Sequence, residues 1–207
     1  SICRRALEAP DRHQAIRILI QGLPQLDEPI PGLRNGGLLA MQELLHGVPR
    51  LEAWDDANRR AQQALSVRGR TLIQKLGFVT EDLPGPGVLL LAEDRKTALA
   101  VLLDRPEEID AASDRFDGVS AVSYGLSKAE QENLDYVVVV AGSCIRLYPT
   151  KPGVGPGRRG RSETFVELDL DLLPSDRAGY LWLLLSASAL AQGGSFEEIL
   201  ARSADYA

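Results

Sequence analysis

Six consecutive residues, Tyr136-Val137-Val138-Val139-Val140-Ala141, constrain this chain more than any other stretch. β-Branched side chains favour an extended backbone, and an apolar residue at every position predicts a strand covered on both faces. Such a strand belongs in the middle of a sheet with a layer above and a layer below. Gly142-Ser143 turns the chain back, and 144–148 reads as a neighbouring strand.

Other signals build outward from that strand. Apolar runs at 88–92 and 97–103, joined by Glu93-Asp94-Arg95-Lys96, predict a β-hairpin with a polar tip. Ser127 and Glu130 form a capping box for a helix ending near Asn133. Residues 164–170 alternate apolar and polar as a half-exposed edge strand does. Helical spacing is read over 11–22, closed by Gly22 and Pro24, then over 38–45 after a Pro/Gly-rich loop. Asp55 reads as N-cap of a helix over 56–76 with Gly77 as its stop. Pro174-Ser175 opens a buried helix reaching about Gln192, and Ser195 with Glu198 opens another after Gly193-Gly194. That last helix reaches Ala207 without a stop signal, which reads as the boundary of a fragment. The expected fold is α+β: a helical N-terminal segment over 1–80, a core of four or five strands over 81–173, and C-terminal helices over 174–207.

With 207 residues, 44% of them hydrophobic and 25% charged, the chain has the balance of a globular protein. A net charge of −6 restricts any nucleic-acid contact to a local patch. Cys3 and Cys144 lie far apart, and His13 and His46 join no ligand-spaced cluster, so no metal site is expected. The thiols read as reduced and the protein as soluble and cytoplasmic. Its longest apolar runs are too short to span a bilayer, and no signal peptide is expected, since no charged segment leads into a long apolar stretch at the N-terminus. Trp54 and Trp182 read as core residues.

Several stretches together carry a resemblance. They are Gly36-Gly37-Leu38-Leu39 with Glu43-Leu44-Leu45 and Pro49…Trp54, then the run from Gly69 to Phe78. The strand-turn-strand ending in Arg146-Leu147-Tyr148 is a third, and Phe165-Val166-Glu167-Leu168-Asp169-Leu170 leading towards Gly194-Ser195-Phe196 is a fourth. In order and spacing they resemble the N-terminal region of type IIG restriction-modification and related phage-defence methyltransferases. The resemblance implies a nuclease-like domain preceding an adenine-specific, S-adenosylmethionine-dependent DNA methyltransferase. It implies DNA, the methyltransferase domain and other defence-system subunits as partners. The chain contains no Asn-Pro-Pro-Tyr or Asp-Pro-Pro-Tyr tetrapeptide and no glycine loop for the cofactor, so no cofactor is expected in this part.

A nuclease core of the PD-(D/E)xK kind needs an acid on the first hairpin strand, and an acid two residues before a lysine on the second. The carboxylates hold Mg²⁺, and the lysine helps activate water and stabilise phosphate charge. Laid on that pattern, the first acid falls near Val88, the second on Leu103 and the lysine on Arg105. A shift by one recovers Asp104 but sets Pro106 at the lysine position. A silent core is therefore expected, with Val88 and Leu103 facing inward. Asp94, Asp104 and Glu107 remain as an unorthodox acid set, although Asp94 and Asp104 are expected too far apart to share an ion. Asp104, Glu107, Glu108 and Asp110 read either as a divalent-metal site or as a solvated turn, the turn being favoured because no lysine or histidine accompanies them.

Lys151, Arg158, Arg159 and Arg161 form a basic Gly/Pro-rich loop, read as phosphate contacts or as a solubilising linker. Ser143 lacks the frame and histidine partner of a hydrolase nucleophile. The expected function is a non-catalytic accessory domain of a DNA adenine methyltransferase. The rivals are a self-contained interaction module without DNA contact and a divergent metal-dependent nuclease.

Overall fold

The computed structural model describes residues 29–157 and 159–206. The helix expected over 11–22, with Cys3 and His13, lies outside the described residues, as does Arg158.

Seven strands form one mixed sheet: β1 (Leu33–Asn35), β2 (Val79–Asp82), β3 (Gly87–Ala92), β4 (Arg95–Leu103), β5 (Tyr136–Ala141), β6 (Cys144–Pro149) and β7 (Val166–Asp169). Their order is β1-β7-β6-β5-β4-β3-β2. Only β4 and β5 run parallel, and the helix α1 of the crossover between them spans Ala121–Gln131. The other α-helices among the described residues are α2 (Trp54–Ala61), α3 (Gly69–Lys75), α4 (Gly179–Leu185), α5 (Ala187–Leu190) and α6 (Ser195–Ala204).

Every residue of β5 is buried. Val137 and Val139 face α1, whose Val122, Leu126 and Ala129 close a core with Leu99, Val101 and Leu103. Val138 and Val140 face the opposite layer, where Ile73 of α3, Leu184 of α4 and Phe196 of α6 complete a larger core reaching from Ile30 to Ile199. The all-apolar valine run is explained by those two layers.

The α+β class stands, but the four or five expected strands are seven. Two of them carry no strand signal in sequence: β1 is three residues in turn-rich surroundings, and Val79, Glu81 and Asp82 of β2 are exposed at the sheet edge. The presence of β1 changes β7. Expected as a half-exposed edge, β7 is buried at all four positions between β6 and β1, with Leu33 opposite Leu168.

Helix limits move for local reasons. The helix expected over 56–76 is two, α2 and α3, separated where Arg68 is extended and Gly69 takes φ +60°. The Arg68 guanidinium bonds the Leu65 and Val67 carbonyls at 2.6 and 2.7 Å, closing the preceding turns. Asp55 lies inside α2 rather than capping it. Gly77 does stop α3, at φ +93°. α1 begins at Ala121 because the Ser120 hydroxyl accepts from the Ser123 amide at 3.2 Å, so Ser127 is mid-helix and no cap. The helix expected to about Gln192 breaks at Ser186, whose hydroxyl caps Ala189 at 3.1 Å. Ser195 is the first residue of α6 rather than its cap, and its hydroxyl donates to the Leu183 carbonyl at 2.7 Å. Trp54 and Trp182 are half-buried at the core's rim rather than inside it. No described helix is long and apolar enough to cross a membrane.

Candidate functional site

Strand register fixes which side chains share a face. Leu103 stands opposite Ala141 on the α1 face, and Val101 stands opposite Val139 and Gly87. Val88 pairs with Ala100, and both belong to the core on the other face. Val88 and Leu103 are buried as expected, at 8% and 6% exposure. They nevertheless point to opposite sides of the sheet, so the first-acid position on the Leu103 side is Gly87 rather than Val88. Gly87 has no side chain, and a Cβ there would lie 2.9 Å from the Leu99 side chain. A carboxylate pair is therefore missing from both strands at the point where a nuclease core would hold its ion.

Asp94 and Asp104 lie at opposite ends of β4. Asp94 occupies the hairpin turn, Asp104 follows β4, and the nine residues of β4 between them span about 30 Å at about 3.3 Å per residue. That separation excludes a shared ion. Glu108 accepts from Arg105 Nε at 2.9 Å. That hydrogen bond, aided by Glu107 and Asp104, holds the Arg105 guanidinium above its ordinary pKa. Asp110 turns towards Arg146 instead, at 3.3 Å. Among the described residues, no three His, Cys, Asp or Glu side chains converge on a point that could hold a metal. Ser143 is buried, and its hydroxyl has no hydrogen-bond partner.

The chemistry-bearing group that sequence reading missed lies along the same sheet row. Val101, Val139, Arg146, Glu167 and Arg34 stand opposite one another across β4, β5, β6, β7 and β1. Arg146 is 4% exposed and Glu167 is 3% exposed. Arg146 Nε donates to Glu167 at 2.6 Å, and Nη1 donates to the Tyr148 hydroxyl at 2.8 Å. Arg34 Nε approaches Glu167 at 3.4 Å, and both guanidiniums stack on Phe165, Arg146 at 4.4 Å and Arg34 at 5.2 Å. Burial by itself lowers the Arg146 pKa, but the charges of Glu167 and Asp110 and the bond to Tyr148 outweigh it and raise it. Burial also pushes Tyr148 up to about 12, against the lowering pull of Arg146. One signal was present in the sequence: an arginine inside an otherwise apolar strand must bring its own acid.

The basic loop leaves β6 at Pro149, which stands opposite Tyr136, itself opposite Ala98. Lys151, Arg159 and Arg161 therefore emerge at the end of the sheet away from Leu103. Lys151 lies 3.9 Å from Asp135 and lines a cleft of about 590 Å³ with Glu93, Arg95, Lys96 and Glu197. Arg161 donates to Glu130 at 3.1 Å and to the Thr150 carbonyl at 3.3 Å. Arg159 is exposed beside Gly37. The hairpin turn in this cleft is tighter than the expected four-residue tip, for β4 already begins at Arg95. No family model, curated protein or solved structure matches this chain.

Proposed function

We propose that this chain is a catalytically silent, nuclease-like accessory domain of a DNA adenine methyltransferase from a restriction-modification or phage-defence system. One observation carries the reading. A helix, the β2-β3-β4 meander, the crossover helix α1 and β5 parallel to β4 follow one another in the order a nuclease core requires. Gly87 and Leu103 then stand where its carboxylates would be. Methyl transfer and S-adenosylmethionine binding belong to a different domain in this reading, and the present one positions DNA or a partner subunit.

The arrangement of charge supports a positioning role over cleavage. The exposed cations of the basic loop lie about five strand residues, or roughly 17 Å, from the vacant carboxylate positions. DNA held by that loop would not be presented to the β4 end, where Asp104, Glu107, Glu108 and Asp110 repel phosphate.

The decisive experiment combines binding with cleavage. Duplex DNA is titrated by fluorescence anisotropy at several salt concentrations, and plasmid is incubated with the protein and Mg²⁺ or Mn²⁺. Weak, sequence-independent binding without cleavage is expected. Changing Arg158, Arg159 and Arg161 to Ala should flatten the salt slope by about two, since Arg161 is already paired with Glu130. Cleavage abolished by Asp104→Ala would establish the divergent nuclease instead. Absence of DNA binding at low salt would favour the interaction module.

A further inference from the structure

A second cavity, of about 360 Å³, lies between the helical turn Glu43–Gly47 and α6, lined by Glu43, His46, Arg50, Arg202, Asp205 and Tyr206. Its volume falls in the lower range of small-molecule sites. Glu43 is 3% exposed, and its Oε1 has no hydrogen-bond partner. The nearest cation, Arg202 Nη1, stops at 3.8 Å, while Nη2 of the same guanidinium is held by Glu198 at 2.6 Å. A buried carboxylate short of donors is destabilising, so its retention needs a reason. Gly47 keeps the space for it, because a Cβ there would fall on the carboxylate. The turn is a π-helical one, a local irregularity often found at functional sites.

The cavity also holds unused donors. Arg50 and His46 are exposed and make no hydrogen bond or ion pair among the described residues. Two carboxylates and two guanidiniums line the space, so a ligand with separated charges and no net charge matches it better than an ion of either sign. We propose that this cavity binds a small zwitterion of the amino-acid class. Its ammonium donates to Glu43, and its carboxylate accepts from Arg50, with Arg202 between them. This site is independent of the DNA-positioning role.

The test is calorimetric titration of the full chain with glycine, 4-aminobutyrate and 6-aminohexanoate, whose charged ends lie at different separations. Butylamine and butyrate serve as half-ligands. Saturable binding of at least one zwitterion is expected, with each half-ligand weaker by about tenfold or more, the value of one hydrogen bond to a charged group. Glu43→Gln and Arg50→Ala should each weaken the zwitterion by a similar factor. Gly47→Ala should do the same by displacing the carboxylate. Arg50 is exposed, so Arg50→Ala decides the matter if a change at Glu43 or Gly47 unfolds the protein. No saturable binding of any zwitterion, half-ligands equal to the whole, or an unchanged affinity in Arg50→Ala would each overturn the proposal.

Discussion

Arg146 and Glu167 show how strongly a single pair of residues can constrain this sheet. Neither charge is tolerable alone at 4% and 3% exposure, and each is hydrogen-bonded because the other is present. Arg146→Met should destabilise the protein by about 3–5 kcal/mol, because it removes the hydrogen-bonded partner of a buried carboxylate and leaves Glu167 only Arg34, at 3.4 Å. The double change Arg146→Met with Glu167→Met should recover most of that loss, and urea unfolding of the three variants measures both. Two tyrosines add a pH dependence. Tyr148 and Tyr136 are both pushed up to about 12, chiefly by burial, with Glu197 and Asp135 contributing at Tyr136. Their raised values mean that the unfolded chain loses these protons first, near pH 10. The stability they contribute is complete below about pH 10 and is lost as pH rises through about 12. Chemical denaturation at a series of pH values should show that decline, and replacing both tyrosines with Phe should flatten it.

At the scale of elements, the β3–β4 hairpin and α1 carry opposite kinds of tension. The hairpin turns through Glu93 and Asp94 at φ +50° and +59°, left-handed values at two residues that are not glycine. A two-residue turn of this hand favours Asn-Gly, so Glu93→Asn with Asp94→Gly should stabilise the protein by about 1 kcal/mol in thermal unfolding. In α1 a glycine is present for space. A Cβ on Gly125 would lie 2.8 Å from Val137 Cγ1 and 3.4 Å from Val101 Cγ2, both fully buried on the sheet. Gly125→Ala improves helix propensity by about 1 kcal/mol, yet forcing a methyl into that contact costs about 1–3 kcal/mol. The substitution should therefore lower the melting temperature. An unchanged or raised value would mean that α1 can move off β5 without loss.

For the whole molecule, the sheet draws on distant parts of the chain. β1 comes from residues 33–35 and closes β7, while α4 and α6 cover the same face as α3. A piece limited to residues 79–173 would retain six consecutive strands and lose most of the layer over Val138, Val140, Ile145 and Leu147. It should melt without a cooperative transition in circular dichroism, whereas the intact chain should melt cooperatively. Charge is also distributed at this scale, with the hairpin turn and basic loop at one end of the strands and the acidic turn after β4 at the other.

The sequence alone determined the features that depend on a residue and its near neighbours. β5 was legible because four valines in a row admit one backbone and one environment, and the hairpin because apolar runs flank a short polar gap. That Leu103 and Arg105 stand where the nuclease pattern asks for an acid and a lysine was legible too, because that is a comparison of residue types alone. Features that depend on partners far along the chain emerge only once the chain is folded. A three-residue strand such as β1 carries too few side chains to announce itself, yet it converts β7 from an edge into an interior strand. Register, which no local pattern specifies across a sheet, moved the first-acid position from Val88 to Gly87. It also aligned Arg34, Arg146 and Glu167 in one row. The basic loop is contiguous in sequence, but the acids that meet two of its cations, Asp135 for Lys151 and Glu130 for Arg161, come from elsewhere in the chain, and only the fold brings them there.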